Sequence, residues 1–464
     1  MNSSLIKRMQ NEGFTHVSVD LFSGPGGLCT GFKWAGILPL IAVEWTDTTV
    51  QTYSISHNAE IFELSKYNCD GIINNEYYEK FAKESTRSLI IHGDINLVSS
   101  EMIKNLLLTR YGIDSINETV DVVSGGAPCE SFSIAGTRTA NDERDDLFSN
   151  ILRISRTLKS KMVLFENVKG LFSKAKNGVK GAIFNFICNS FEDPNASVTY
   201  KLASRNPNEI LLKACDYGVP QMRERLFLIG VRSDIDNVSF EYPIKEFGPG
   251  TDKPYVTAKE AISDLPHVEM GEEALTYNKP KKFLSKNQES FVSIMRGEYI
   301  DNNIRSIIPK HLSESGMFDS KTLSVHKGPG HIKRKQELLA IIPVGESMKS
   351  TYEKLVENGK IDKLRHLFPN TIYGSRNRRL IEDEPSFTVT SHCLDEIIHP
   401  TLNRAITARE AARLQSFPDW YQFVGPYVQF HGDKEQDKYE QIGDAIPPLL
   451  ACALARSIVT ALNK

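Results

Sequence analysis

Cys129 stands in the run Gly125-Gly126-Ala127-Pro128-Cys129-Glu130-Ser131-Phe132-Ser133, where a glycine pair, a proline and two serines describe an exposed turn. A thiol there reads as a nucleophile, not as the buried filler that a lone cysteine usually is. Glu166 closes the apolar run Met162–Glu166, where a parallel strand is normally apolar. A carboxyl buried at that point is costly unless paired or protonated, and a raised pKa suits it to giving a proton. Arg223 and Arg225 lie two apart in Gln221-Met222-Arg223-Glu224-Arg225. An extended backbone points both the same way, toward an anionic or carbonyl group. No metal-ligand cluster is evident in the spacing of His, Cys, Asp and Glu.

A second constellation concerns a cofactor. The run Asp20-Leu21-Phe22-Ser23-Gly24-Pro25-Gly26-Gly27-Leu28 is a glycine-rich turn directly after an apolar run. Such a turn lets the backbone approach a nucleotide or nucleoside at the following helix N-terminus. Glu44, about twenty residues on, stands where a carboxylate accepts ribose hydroxyls, and Trp45 beside it offers a ring for an adenine face. The turn is not the G-x-G-x-x-G of dinucleotide folds, yet NAD and S-adenosylmethionine both remain open at this level.

Positioning these groups requires a sheet. Apolar β-branched runs alternate with longer amphipathic stretches, which predicts an α/β fold of βαβ units around a mostly parallel sheet. The expected strands are Val17–Phe22, Leu40–Glu44, Ser88–His92, Val120–Ser124, Met162–Glu166 and Leu226–Val231. Open sheets hold ligands beyond the carboxyl ends of their strands, and the chemistry-bearing residues fall there. The polar stretch Glu60 to Arg87 reads as a helical surface insertion. From about Glu241, Pro243, Pro254, Pro266 and Pro280 break the rhythm until about Thr407, which predicts a second, smaller, irregular domain. Thr407 and Glu410 form a capping box that starts a helix, and Leu449–Leu462 makes another.

Composition narrows the class. The 464 residues are 40% hydrophobic and 24% charged, far from disordered or fibrous chains. Ala445 to Ala455 carries two prolines and is too short for a bilayer span, so no membrane association is expected. Met1 to Phe14 has no apolar core of a secretory signal. Seven cysteines without a C-x-x-C pair predict a reducing, cytoplasmic setting. The formal charge of −3 gives no overall attraction to a polyanion, but residues 327–379 hold twelve Lys and Arg against five acids.

In order along the chain, several blocks together resemble the DNA (cytosine-5) methyltransferase family, of the bacterial and phage modification-methylase type. They are Asp20–Gly27, Glu44-Trp45, Gly93-Asp94-Ile95, Pro128-Cys129, Glu166-Asn167-Val168 and Tyr217–Gln221 running into Arg223-Glu224-Arg225. Arg379-Leu380 with Pro385 and Thr388-Val389-Thr390, then Gln441–Pro448, complete the series. Each block alone is weak; the ordered series covers nearly the whole chain and is specific.

The resemblance implies a Rossmann-like sheet dependent on S-adenosyl-L-methionine (AdoMet) with a smaller target-recognition domain. The division it suggests is 1–245 catalytic, 246–395 target recognition, 396–429 hinge and 430–464 returning to the catalytic unit. It implies a monomeric enzyme that methylates carbon 5 of a flipped-out cytosine in duplex DNA, either alongside a cognate restriction endonuclease or as an orphan or phage-borne enzyme. Cys129 would add to carbon 6, Glu166 would hold N3 and the amine, Arg225 would hold O2, and Arg223 would help position the base. Phe22, Gly24, Gly26, Gly27, Leu28, Glu44, Trp45, Asp94, Ile95, Pro128 and Asp444 would line the cofactor pocket. Ser133 would close over DNA, and Lys333, Arg334, Lys335, Arg376, Arg378 and Arg379 would contact it.

Two departures stand out: Gly443-Asp444 where the family has Gly-Asn, and Glu130 where Gln or Asn follows the cysteine. Glu130 facing phosphates would repel them, so it is expected to turn inward or to pair with an arginine such as Arg144. Competing readings are a tRNA cytosine-5 methyltransferase, a catalytically silent DNA-binding relative, and an NAD oxidoreductase. About 150 residues between Arg225 and Arg376 favour duplex DNA over tRNA, and the Asp/Asn/Ser-Pro-Pro-aromatic tetrad of amino-methyltransferases is absent.

Overall fold

Nine strands form one sheet in the computed structural model, which describes residues 1–69, 71–114, 119–127, 147–175, 178–236, 238–277, 283–428 and 435–464. The strands are β1 (His16–Leu21), β2 (Ile37–Glu44), β3 (Glu60–Glu63), β4 (Leu89–His92), β5 (Val122–Gly125), β6 (Met162–Asn167), β7 (Tyr200–Leu202), β8 (Leu211–Lys213) and β9 (Glu224–Arg232). Their spatial order is β8-β9-β6-β5-β1-β2-β4-β3, with β7 also pairing β9. All contacts from β6 through to β3 are parallel, and β9 runs antiparallel to β6. Every residue of β1 and β2 is buried, as strands covered by helices on both faces must be. Alternate residues feed two cores: Met162 and Leu164 face the side of helix Pro448–Leu462, whereas Val163 and Phe165 face the opposite one.

From β1 the chain moves outward through β2, then returns to place β5 on the other side of β1. That reversal is where open α/β sheets bind ligands. The turns after β1 and β5 and the ends of β2 and β6 all open there.

Each of the six expected strands is present with shifted ends. Glu60 to Arg87 departs from the expected helical insertion. Glu60–Glu63 is the edge strand β3, followed by the short helix Leu64–Tyr67, the hairpin Asn68–Cys69 with Ile72–Ile73, and the helix Asn75–Glu79. Phe62 is buried among Tyr67, Tyr77, Tyr78 and Phe81, and this one aromatic anchor in a polar segment lets a strand form where composition suggested a surface helix.

Past Glu241 the chain forms short helices and a small hairpin, Glu298–Ile300 with Arg305–Ile307. Residues such as Val256, Phe291 and Leu323 pack into the same core as helices Gly27–Trp34 and Pro448–Leu462. Leu338, Leu339, Ile342, Met348, Leu367 and Phe368 make a separate small core with Ile398. The span expected as a hinge contains the helix Ala408–Leu414, buried at all 7 positions and opened by the Thr407–Glu410 capping box. Arg413 pairs there with Asp264 and Asp419, and Arg404 with Glu410, all buried. The stretch Lys438–Leu462 is apolar and long enough to cross a bilayer, but 67% of its apolar window is buried in the protein.

Candidate active site

The glycine turn begins with Phe22 and Gly24 at φ of 56° and 53°, then Gly26 at 99°. The Gly24 N–H donates to Glu44 Oε2 at 3.0 Å, while Glu44 Oε1 accepts the N–H groups of Trp45 (2.9 Å) and Thr46 (3.1 Å). A carboxylate has about four acceptor positions, so one remains for a hydroxyl. A side chain on Gly24 would meet nothing within 4 Å, so open space lies above that peptide. Beside it the Trp45 side chain is 68% exposed, unlike the buried Trp34 and Trp420. The Gly93 N–H donates to the Glu44 carbonyl and brings Asp94 and Ile95 to the same rim. Asp94 is exposed and caps its own turn through the Asn96 N–H, whereas Ile95 is buried.

Two glycines are also required by their packing against protein. A Cβ on Gly26 would lie 2.4 Å from His57 Nε2 and 2.8 Å from the Tyr421 hydroxyl; one on Gly27 would lie 2.2 Å from the Ile446 carbonyl. Their missing side chains make room for protein. Leu28 is likewise buried in the core beside helix Pro448–Leu462, and Phe22 packs at the edge of the core on the opposite face of the sheet. Tyr421 donates to the Pro25 carbonyl, and His57 lies between Gly26 and Tyr421, so the turn is held from behind. Beneath it Asp20 is buried, accepting Ser124 Oγ at 2.6 Å and Cys29 Sγ at 3.0 Å. Burial pushes its pKa up to about 6 against those two hydrogen bonds.

On the other side of the reversal, Arg225 Nε lies 3.0 Å from Glu166 Oε1. A Cβ on Gly126 would lie 2.8 Å from Glu166 Oε2, so only glycine leaves the carboxylate its place. Asn167 Nδ2 donates to the Ala127 carbonyl at 3.0 Å and fixes the chain at that point. Burial raises the Glu166 pKa, and the charges of Arg225 and Arg223 oppose that only in part. Pro128, Cys129, Glu130, Ser133 and Arg144 lie outside the described residues.

Arg223 does not face this carboxylate as expected. It is fully buried, with Nη1 donating to the Val389 carbonyl (2.8 Å) and Nη2 to the Gly443 carbonyl (2.9 Å). Burial, then the charge of Arg225, pushes its pKa down. The two arginines diverge because Arg223 precedes β9 and Arg225 lies within it, so strand alternation does not relate them. Gln221 extends the seam, accepting the Val389 N–H and donating to the Leu414 carbonyl. Gln415 in turn donates to the Ile442 carbonyl. Gln221 lies inside a block that the sequence marks out, though with no role given to it, whereas Gln415 stands five residues past Glu410 with no motif to point to it. Asp444 is open to solvent at the end of helix Lys438–Asp444, bonded by Gln436 Nε2 at 3.2 Å. Surrounding protein pushes its pKa up to about 6, with Arg223 opposing.

The basic segment divides. Lys333, Arg334 and Arg376 are exposed, Lys335 is half-buried against Asn377 and Asp395, and Arg378 lies over the Phe387 ring. Arg334, Lys335 and Arg376 line a cavity of about 350 Å³ with His331, Leu338 and Met348. Arg379 differs from expectation: it is buried, and its guanidinium donates to the carbonyls of Leu339, Ile342, His399 and Leu402. A guanidinium so saturated holds loops together and has no donor left for DNA.

A sequence profile of C-5 cytosine-specific DNA methylases matches residues 62–460. The chain belongs to this family. The type II methyltransferase M.DdeI of Desulfomicrobium norvegicum is 31% identical over 442 residues, covering 95% of this chain and 88% of that one. M.XorII of Xanthomonas oryzae is 28% identical over 450 residues, covering 97% and 85%. Among solved structures, a DNA modification methyltransferase encoded within an Escherichia coli prophage superposes with a TM-score of 0.63 at 25% identity, over 97% of this chain and 100% of that one. This methylase is therefore a DNA cytosine-C5 methyltransferase of the restriction-modification type, with AdoMet as methyl donor. The open Gly24 peptide, the Glu44 carboxylate and the exposed Trp45 ring fit a nucleoside of that kind. Among the described residues no cluster of His, Cys, Asp and Glu could hold a metal ion.

Proposed function

We propose that this methylase flips one cytosine out of a specific duplex sequence and methylates its carbon 5 through a covalent Cys129 adduct, protecting DNA from a cognate endonuclease. The observation that carries this reading is the Glu166–Arg225 pair seated against Gly126, across the sheet reversal from the glycine turn. AdoMet, held by Gly24, Glu44, Trp45 and the Asp94 rim, supplies the electrophilic methyl group.

Carbon 5 of cytosine is by itself a poor nucleophile. The Cys129 thiolate would give its electron pair to carbon 6, the 5,6 double bond would shift its pair to carbon 5, and that carbon would take the methyl, the broken carbon–sulfur pair staying with the departing S-adenosyl-L-homocysteine. Glu166, with its raised pKa, supplies a proton to N3, and Arg225 holds O2, so the ring carries the added density. Loss of the carbon-5 proton to water restores the double bond and expels the thiolate, and N3 returns its proton to Glu166. The base cannot react within the stack, and its extrusion costs a few kcal/mol. Arg223 acts one step removed, holding the Val389 and Gly443 segments beside the site.

The recognition function lies between Arg225 and Arg379, with exposed Lys333, Arg334 and Arg376 on phosphates. Exchanging residues 270–370 with those of a relative is expected to transfer sequence preference. The six described cysteines are all free, which suits a reducing cytoplasm. Incubation with tritiated AdoMet and duplex DNA, followed by bisulfite sequencing, tests the whole reading: label at carbon 5 of one cytosine in a fixed context is expected, and label in tRNA but not DNA would overturn it.

A further inference from the structure

His92 is the last residue of β4 and pairs in register with Glu44 on one side and Glu63 on the other. Its ring lies between three oxygen acceptors. Nδ1 is 2.7 Å from Glu63 Oε2, and Nε2 is 2.9 Å from Asp47 Oδ1 and 3.2 Å from the Trp45 carbonyl. Each ring nitrogen therefore has a carboxylate oxygen within hydrogen-bond distance. The ring thus binds the backbone of Trp45 and the first residue of helix Asp47–His57, which flank the open nucleoside space. Its other side is anchored in the segment after β3. The Glu63 N–H donates to the Tyr77 hydroxyl at 2.9 Å, and Tyr77 packs on buried Phe62 with ring centroids 5.4 Å apart.

We propose that His92 is a positioning residue for the methyl donor, and that the helix Asn75–Glu79, packed on Phe62, acts as a brace that sets donor affinity through Tyr77, Glu63 and His92. This rests on the reading that Glu44 and Trp45 hold the donor. Trp45 is the exposed tip of a chain turn with few packing contacts of its own, so its ring needs a fixed carbonyl to keep a face toward a ligand. His92 supplies that fixation at the sheet edge, where β4 ends. Glu63 orients the imidazole as second partners orient histidines elsewhere, by holding one nitrogen so that the other is aimed. The segment shares none of its contacts with Glu166 or Arg225, so its effect falls on binding and not on the chemical step.

The test measures donor affinity by quenching of intrinsic fluorescence, in which exposed Trp45 is the responsive indole, and by calorimetry with S-adenosyl-L-homocysteine. His92→Ala is expected to raise the donor Kd about tenfold, the scale of one charge-assisted hydrogen bond. Turnover at saturating donor should fall less than about twofold, and DNA affinity should hold. Glu63→Gln keeps an acceptor and should restore most of the affinity that Glu63→Ala loses. His92→Ala with Glu63→Ala should be no worse than His92→Ala alone. Tyr77→Phe, which leaves the aromatic packing in place, should weaken donor binding by a smaller factor and serves if His92→Ala does not fold. Trp45→Ala separates the two readings. If it leaves the calorimetric Kd unchanged, the donor-site reading fails. If it weakens binding while His92→Ala and Tyr77→Phe do not, the brace is wrong and the donor site stands. An equal loss of Kd and saturated turnover in His92→Ala would also overturn the brace.

Discussion

Arg225 Nε and Glu166 Oε1 stand 3.0 Å apart although the strand register sets Phe227, not Arg225, opposite Glu166. The guanidinium reaches back past the Leu226–Asn167 pair to meet the carboxylate, and burial still leaves the acid with a raised pKa. Glu166→Gln removes the proton supply while keeping size. Turnover should fall by about 10²–10⁴, the usual range for a general acid, with donor Kd within about twofold. Steady-state kinetics with calorimetry checks this, and unchanged turnover would take Glu166 out of the reaction.

Gly126 gives an independent handle on that carboxylate. A methyl group there would lie 2.8 Å from Glu166 Oε2, so Gly126→Ala should displace the acid and cut turnover at least about tenfold with donor binding kept. Equal turnover would mean that the carboxylate has freedom the geometry denies it.

Arg223 and Arg379 should behave as structural residues. Arg223 donates to two backbone carbonyls and Arg379 to four and to Asn403 Oδ1, so replacement by alanine strands buried acceptors and is expected to cost about 3 kcal/mol or more. Chemical denaturation should show the loss. Arg376→Ala, by contrast, should leave stability intact and reduce the salt dependence of DNA binding by about one phosphate contact.

Asp20 predicts a pH dependence. Its folded pKa of about 6 exceeds the ordinary 3.8, so the folded state holds the proton more tightly than the unfolded state. Ionising it therefore removes stability as pH rises from about 4 to 6, a loss of about 3 kcal/mol. Asp20→Asn keeps an acceptor for Ser124 and should flatten that slope, gaining on the parent above pH 6. Glu410 has the opposite sign. Burial would raise its pKa, but Arg404 holds it down to about 2, so its contribution is in place above the unfolded value of 4.5 and disappears as pH falls toward 2. Thermal unfolding from pH 3 to 8 resolves both.

The six main strands were legible because both faces of the sheet are covered and the runs are uniformly apolar. β3 was not, since a single residue, Phe62, carries its burial. Glu44, Trp45, Glu166 and Arg225 were legible because each ends or enters a strand at the sheet reversal. Arg223 and Arg379 differ from expectation for one reason: in sequence an arginine in a basic or paired setting looks solvent-facing, and only the fold shows it buried and bonded to backbone carbonyls distant in sequence. The packing of Gly26 and Gly27 against His57, Tyr421 and Ile446, distant in sequence, is a second demand for glycine that the local motif does not reveal. The Glu63–His92–Asp47 cluster joins three strand and helix ends and leaves no local motif.

The central claim is the covalent step at Cys129, and duplex DNA carrying 5-fluorocytosine tests it most directly. Fluorine at carbon 5 cannot leave as a proton does, so the adduct should persist and migrate as a protein–DNA complex on denaturing gels, dependent on AdoMet. Cys129→Ala should give none. A trapped complex in Cys129→Ala, or methylation of carbon 5 by that variant, would contradict the account.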